Sequence, residues 1–285
     1  MEDQAASLRR LTLTASAPVS FAFLGARGTG TSALAAECAM ALAVWQSRRV
    51  LLIDGHASQN LARRMLHPTR DTLDTVLSEQ LALDAAVGTI AGQLPLLGLY
   101  ARPIQLEQLS SALFQRLNNE FTALTRDLEF LLLDTPSEID DCALAAVADN
   151  LVLVLTPDDD ALTHTYSTIK RLAQHFGRRK FNVLINRAQN LDNARHIFQR
   201  LARVSSEYLT VSLRWVGFVP EDYWLKRATV MKTTATQAFN QCEAAIACRQ
   251  LANALPLWND EPGAAHSLFE RLVETTRHLR EISAV

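Results

Sequence analysis

No charge of one sign dominates this chain: 28 Lys and Arg stand against 30 Asp and Glu, for a net charge of −2. That balance supplies no electrostatic footprint for a nucleic-acid backbone, so nucleic acid is not an expected partner. No apolar run approaches the length of a transmembrane helix. The four cysteines, Cys38, Cys142, Cys242 and Cys248, form no CxxC pair and lie within apolar helical patterns, as buried thiols of a reducing cytosol would. The histidines other than His56 show no metal-ligand spacing, and no Ser/His/Asp order argues for a hydrolase. Internal repeats and low-complexity tracts are missing as well. The opening MEDQAASLRRL is acidic and then polar, unlike a signal peptide.

What is present starts at Val19. VSFAFL (Val19–Leu24) is a short apolar run rich in β-formers and predicts a buried strand. Gly25 and Gly30 then flank four residues, Ser32 follows, and a small-residue helical run continues from Ala33. This is the spacing of a phosphate-cradling loop, G-x-x-x-x-G-K-[ST], at a helix N-terminus. Glycines let backbone N–H groups approach an anion, and the helix end adds partial positive charge. The lysine is missing, because Thr31 stands in its place. A hydrogen bond to a charged group contributes about 1.5–3 kcal/mol, so its loss weakens phosphate binding by roughly ten- to a hundredfold. Phosphoryl transfer should suffer more, since it relies on positioned positive charge. Arg27, inside the loop, is the nearest substitute charge in sequence.

The rest of the chain alternates. Strands are predicted at Arg49–Asp54, Leu94–Tyr100, Glu129–Asp134, Leu151–Thr156, Phe181–Asn186 and Leu209–Val219. Helices are predicted at Ser32–Gln46, Leu106–Arg126, Leu144–Ala148, Ala161–His175, Leu191–Val204, Lys232–Leu255 and Ser267–Ile282. Apolar strands bounded by helices predict an α/β fold with a mostly parallel, doubly wound sheet covered on both faces. Ligands on such a sheet bind at the carboxyl ends of the strands. Asp134 closes EFLLLD there, ahead of Thr135 and Pro136, as an Mg²⁺-binding carboxylate of a nucleotide site would; Asp54 closes RVLLID likewise. Ser32 would add a hydroxyl ligand. His56 is expected to be a polar surface residue at a strand-to-helix turn. Asp158, Asp159 and Asp160 read as the start of a helix rather than a chelating run.

With these segments in place, the chain resembles the deviant Walker A ATPases that include MinD, ParA and the flagellar regulator FlhG (FleN), from about Leu11 to Trp258. RVLLID, FLLLDTP, LTPDDDALTHTYSTIKRL, INRAQN and VGFVPEDYWLKRA carry the likeness, the run Phe198–Leu201 and VPED leaning towards FlhG. The resemblance implies ATP or ADP with Mg²⁺, weakly bound by Gly25, Arg27, Gly28, Thr29, Gly30, Thr31 and Ser32 with Asp54 and Asp134, and adenine near Asn186, Arg187 and Pro220. It also implies that three charged catalytic positions are lost together, at Ala26, Thr31 and His56, as in an ATPase that has stopped turning over. Asp3, Gln4, Ala5, Leu8 and Arg9 fit DQAxxLR, the segment by which FlhG proteins stimulate the signal-recognition-type GTPase FlhF.

The implied organisation is an amino-terminal tail (1–18) with a short helix at Asp3–Leu11, a MinD-like domain (19–258), and a linker with an amphipathic helix (259–285). Pro256–His266 reads as linker. Implied partners are FlhF, flagellar C-ring proteins or a flagellar transcription regulator, and a second copy of the chain when nucleotide binds. The implied location is the cytoplasm, with weak contact to the inner membrane through the terminal helix. Its arginines are offset by Glu270, Glu274 and Glu281, so docking onto its own domain is an equal expectation. Two alternatives share the pattern: a slow, active MinD-like ATPase switch, and a cellulose-secretion protein like BcsQ, which has a similar lysine-to-threonine change but does not account for DQAASLR.

Overall fold

A computed structural model describes residues 17–56, 60–65, 81–99, 108–136, 143–259 and 267–283, with Val76 and Leu106. The DQAxxLR segment, including Asp3, Gln4, Ala5, Leu8 and Arg9, and Cys142 lie outside the described residues.

Eight strands form one sheet in the order β3-β4-β2-β5-β1-β6-β7-β8. They are β1 (Val19–Leu24), β2 (Val50–Asp54), β3 (Val87–Ile90), β4 (Leu94–Gly98), β5 (Phe130–Asp134), β6 (Asn150–Leu155), β7 (Lys180–Ala188) and β8 (Ser212–Pro220). All neighbours pair in parallel except β3, which runs antiparallel to β4 at the edge. Alternate side chains of each central strand enter different cores. Ala22, Leu24, Leu51, Ile53, Leu131 and Leu133 pack on one face. Phe21, Phe23, Leu52, Leu132, Val152 and Val154 pack on the other. Burial on both faces explains why these strands read as continuous apolar runs.

The helices are α1 (Thr31–Met40), α2 (Asn60–Met65), α3 (Ser111–Thr125), α4 (Ala143–Val147), α5 (Asp159–Phe176), α6 (Leu191–Tyr208), α7 (Tyr223–Val230), α8 (Ala235–Ala238), α9 (Glu243–Ala254) and α10 (Leu268–Ser283). Helix α1 passes into a π-helical turn, Ala41–Trp45, where one helix was predicted. Asp158 caps α5, its Oδ1 accepting from Ala161 N at 2.7 Å, with Asp159 and Asp160 in the first turn. That is the dipole-complementing arrangement expected of this acidic run.

Three segmental expectations need correction. The final strand starts at Ser212 rather than Leu209, because Leu209 N–H still bonds back to Ser205 O at the end of α6. The helix expected at Lys232–Leu255 is broken into α8 and α9, the second capped by Cys242, which is half-buried rather than buried. Trp258, inside the segment Pro256–His266 read as linker though also the last residue of the expected domain, is buried against Phe21.

The start of α8 has a tertiary cause. Buried Glu37 on α1 accepts from Ala235 N at 2.5 Å and Thr236 N at 2.8 Å, so a distant carboxylate satisfies the N-terminus of α8. Glu37→Ala is expected to destabilise the fold by about 2–4 kcal/mol, since two buried N–H groups lose their acceptor; urea unfolding with no loss would contradict this. Burial raises the Glu37 pKa although bonds from Thr236 and Ala235 lower it. The folded state then holds this proton to higher pH than the unfolded chain. Stability from this group therefore falls as pH rises from the ordinary carboxylate value through the raised one. Glu37→Gln should flatten that slope in unfolding curves taken across the same range.

Helix α10 docks on its own domain. Leu268, Phe269, Leu272 and Val273 are buried in the first core, and Phe269 lies 6.2 Å from the Phe114 ring. Arg271 ties the helix down through Asp149 Oδ1 at 3.0 Å and Val147 O at 2.6 Å. Docking thus occupies the first half of the amphipathic face. Among the described residues no helix is long and apolar enough to cross a membrane.

Candidate functional site

The parallel register sets up the site. Phe23 pairs with Asp134, and Asp54 pairs with Asp134, so β1, β2 and β5 end level with one another. Everything that follows β1 therefore meets two carboxylates at the carboxyl end of the sheet. Both aspartates are fully buried.

The loop after β1 folds as the glycine spacing predicts. Gly28 and Gly30 have φ of +92° and +86°, a left-handed conformation that favours glycine. Gly30 is the N-cap of α1, and no side chain caps that helix. The first-turn N–H groups are thus left for an anion. A β-carbon at Gly30 would come 2.6 Å from Asn186 Nδ2, so only glycine lets the loop lie against β7.

Thr31 is turned inward. It is buried, and its hydroxyl lies 2.9 Å from that of Thr29, which in turn donates to Ala26 O at 2.8 Å. A β-carbon on Gly25 would collide with both threonine hydroxyls. The residue at the lysine position thus spends its hydroxyl on the loop's own packing. Arg27 is exposed at the tip, and Ala26 carries no charge there.

Asn186 is 1% exposed and straps the loop to β7, its Nδ2 donating to Thr29 O at 2.7 Å and its Oδ1 accepting from Arg187 N at 3.0 Å. Its amide positions the phosphate loop, a role that depends on a contact between residues 157 apart and leaves no local signal. Arg187 has φ of +58°, and its Nη2 is 3.9 Å from where a Gly30 β-carbon would stand. Pro220 ends β8 beside Ala188, at the same edge.

His56 corrects the expectation most plainly. It is half-buried rather than a free surface residue. Its Nδ1 lies 3.3 Å from Asp54 Oδ1 and 3.4 Å from Asp134 Oδ2, between the two carboxylates. Asp54 also accepts from His56 N and Leu61 N, both at 3.0 Å, so the turn after β2 closes around its carboxylate. Burial opposes charge on the ring, but the Asp134 and Asp54 carboxylates outweigh it and push the His56 pKa up to about 10. Burial raises Asp134, and the His56 and Ser32 side chains beside it only partly offset this. Neither Asp134 oxygen makes a hydrogen bond of full geometry, and the charge beside it is the His56 ring at 3.4 Å. A buried carboxylate needs a cation next to it, a part that the protonated ring fills in the unliganded chain.

These features test the fit of nucleotide and Mg²⁺. The uncapped α1 N-terminus and the left-handed glycines fit phosphate, while the buried Asp134 beside Ser32 fits a cation. The charge that should grip the β- and γ-phosphates is what the loop lacks.

No protein-family model matches the chain. The antiactivator FleN of Pseudomonas aeruginosa is 26% identical over 256 residues, covering 88% of this chain and 91% of FleN. The cell-division protein MinD of Pyrococcus horikoshii, solved with Mg-ADP, superposes with a TM-score of 0.60 at 20% identity, over 84% of this chain and 95% of MinD. A ParA-family ATPase of Chlorobium tepidum gives 0.63 at 20% identity, over 83% and 99%. Likeness at these identities to the solved structures speaks to the fold. In fold the chain is similar to MinD- and ParA-type structures, and in sequence it is similar to FleN.

Proposed function

We propose that the protein is an FlhG-like regulator of flagellar biosynthesis that binds nucleotide weakly, hydrolyses little or no ATP, and acts by stimulating an FlhF-type GTPase through Asp3–Arg9. The observation that carries this reading is the loop itself: its glycine geometry is intact, yet Thr31 is buried and hydrogen-bonded to Thr29 where the lysine would stand. Likeness to an antiactivator along nearly the whole chain supports a regulatory role, exerted on protein partners in the cytoplasm. A flagellar transcription activator is a second partner of that kind.

In this reading the Gly28–Ser32 backbone holds the phosphates, and Ser32 with Asp134 holds Mg²⁺, which would neutralise phosphate charge. Asn186 keeps the loop in register for binding, and Thr31 leaves it without the charge needed for turnover. Titration of the purified chain with ATP and Mg²⁺ in a calorimeter tests the site. Weak binding, lost in Ser32→Ala and Asp134→Ala, is the expected result; no heat at millimolar ATP would remove nucleotide from the account. GTP hydrolysis by an FlhF-type partner, with and without this chain, tests the function.

The MinD-like fold and the retained Asp54, Asp134 and Ser32 favour a second reading, a slow ATPase switch that dimerises around nucleotide. It requires turnover well above background.

A further inference from the structure

At the ends of β2 and β5, Asp54, His56 and Asp134 each offer one ligand atom, all within 4.8 Å of one another. The ring nitrogen is 3.3 Å from one carboxylate and 3.4 Å from the other. Asp134 is fully buried, and both its oxygens are without a hydrogen-bond partner. Asp54 is held in orientation by two backbone N–H groups, the outer-shell support that ligating carboxylates receive. His56 keeps 21% of its side chain exposed, which leaves an entry path and room for further ligands.

The donor set discriminates between ions. Mg²⁺ seeks oxygen ligands. Imidazole with carboxylates suits zinc-class ions better.

We propose that Asp54, His56 and Asp134 form a binding site for a zinc-class divalent ion, Zn²⁺ or Co²⁺, which fills without nucleotide and is preferred over Mg²⁺. This deepens the reading of the same pocket given above, changing the cation it selects. The imidazole at position 56 trades an oxygen ligand for a nitrogen one, and the buried Asp134 gains a divalent counter-ion in place of the ring's single charge. The ion displaces the proton that otherwise sits on the ring, as metal binding to imidazole does.

The test uses the whole chain, stripped with a chelator and kept free of nucleotide, with Co²⁺ as the probe. Visible absorption reports coordination geometry and calorimetry reports affinity; Mg²⁺ is titrated in parallel. A single equivalent of Co²⁺ is expected to bind with the intense absorption of a low-coordinate site. His56→Asp should lower Co²⁺ affinity by about tenfold or more and narrow its advantage over Mg²⁺. If His56→Asp does not fold by circular dichroism, His56→Gln gives the same readout. Equal affinity for Mg²⁺ and Co²⁺ in the wild-type chain, no Co²⁺ binding, or Co²⁺ binding unchanged in the His56 variant would each overturn the proposal. Because no nucleotide is present, any of those failures leaves the phosphate-loop reading to be judged by its own ATP titration.

Discussion

Phosphate release from ATP by the purified chain is expected to match that of a Ser32→Ala, Asp134→Ala control. The reason lies in charge placement. Phosphoryl transfer is driven almost wholly by positioning and by positive charge on the phosphate oxygens. Here the lysine position holds a buried threonine hydroxyl bonded to Thr29, Ala26 is uncharged, and His56 faces Asp54 and Asp134. Thr31→Lys should tighten ATP binding by about ten- to a hundredfold, the contribution of a charge-assisted contact. Turnover should rise much less, since the other two positions stay as they are. The substitution also breaks the Thr29–Thr31 contact under Gly25, so its stability is to be checked by urea unfolding. Full ATPase activity from this one change would show that the loop lacked nothing else.

A peptide spanning Met1–Leu13 should accelerate GTP hydrolysis by the cognate FlhF-type GTPase, and its Gln4→Ala version should not. A glutamine is suited to orienting an attacking water in a GTPase site. In a helix at Asp3–Leu11, Ala5, Leu8 and Arg9 share one face, with Gln4 beside it. So short a segment should bind with modest affinity while its effect on rate is large. Gln4→Ala in the whole chain is expected to alter this stimulation and leave the unfolding midpoint in place. Equal stimulation by both peptides would remove the glutamine from the mechanism.

The strands that build the site were legible because burial on both sheet faces leaves an uninterrupted apolar run, as in FLLLD and LVLVL. The glycine spacing around Arg27 and the aspartates closing β2 and β5 were legible for the same local reason. Edge strand β3 was not: VGTI is four residues long, only one of them buried, and its pairing is antiparallel. The start of α8 at Ala235 was hidden because the carboxylate that satisfies it, Glu37, lies 198 residues away. His56 was misread as a surface turn for a related reason. Its setting comes from the Asp54–Asp134 register, which joins strands 80 residues apart in sequence. The strap from Asn186 to Thr29 is likewise invisible to any local pattern.

The central claim, that regulation resides in the amino-terminal segment and not in ATP turnover, meets its most direct test in one titration. GTP hydrolysis by the FlhF-type partner is followed without ATP, as the whole chain or a chain lacking Met1–Leu11 is added. The account predicts strong stimulation by the whole chain and none by the truncated one. Stimulation that survives the truncation, or that appears only when ATP is supplied, would contradict it.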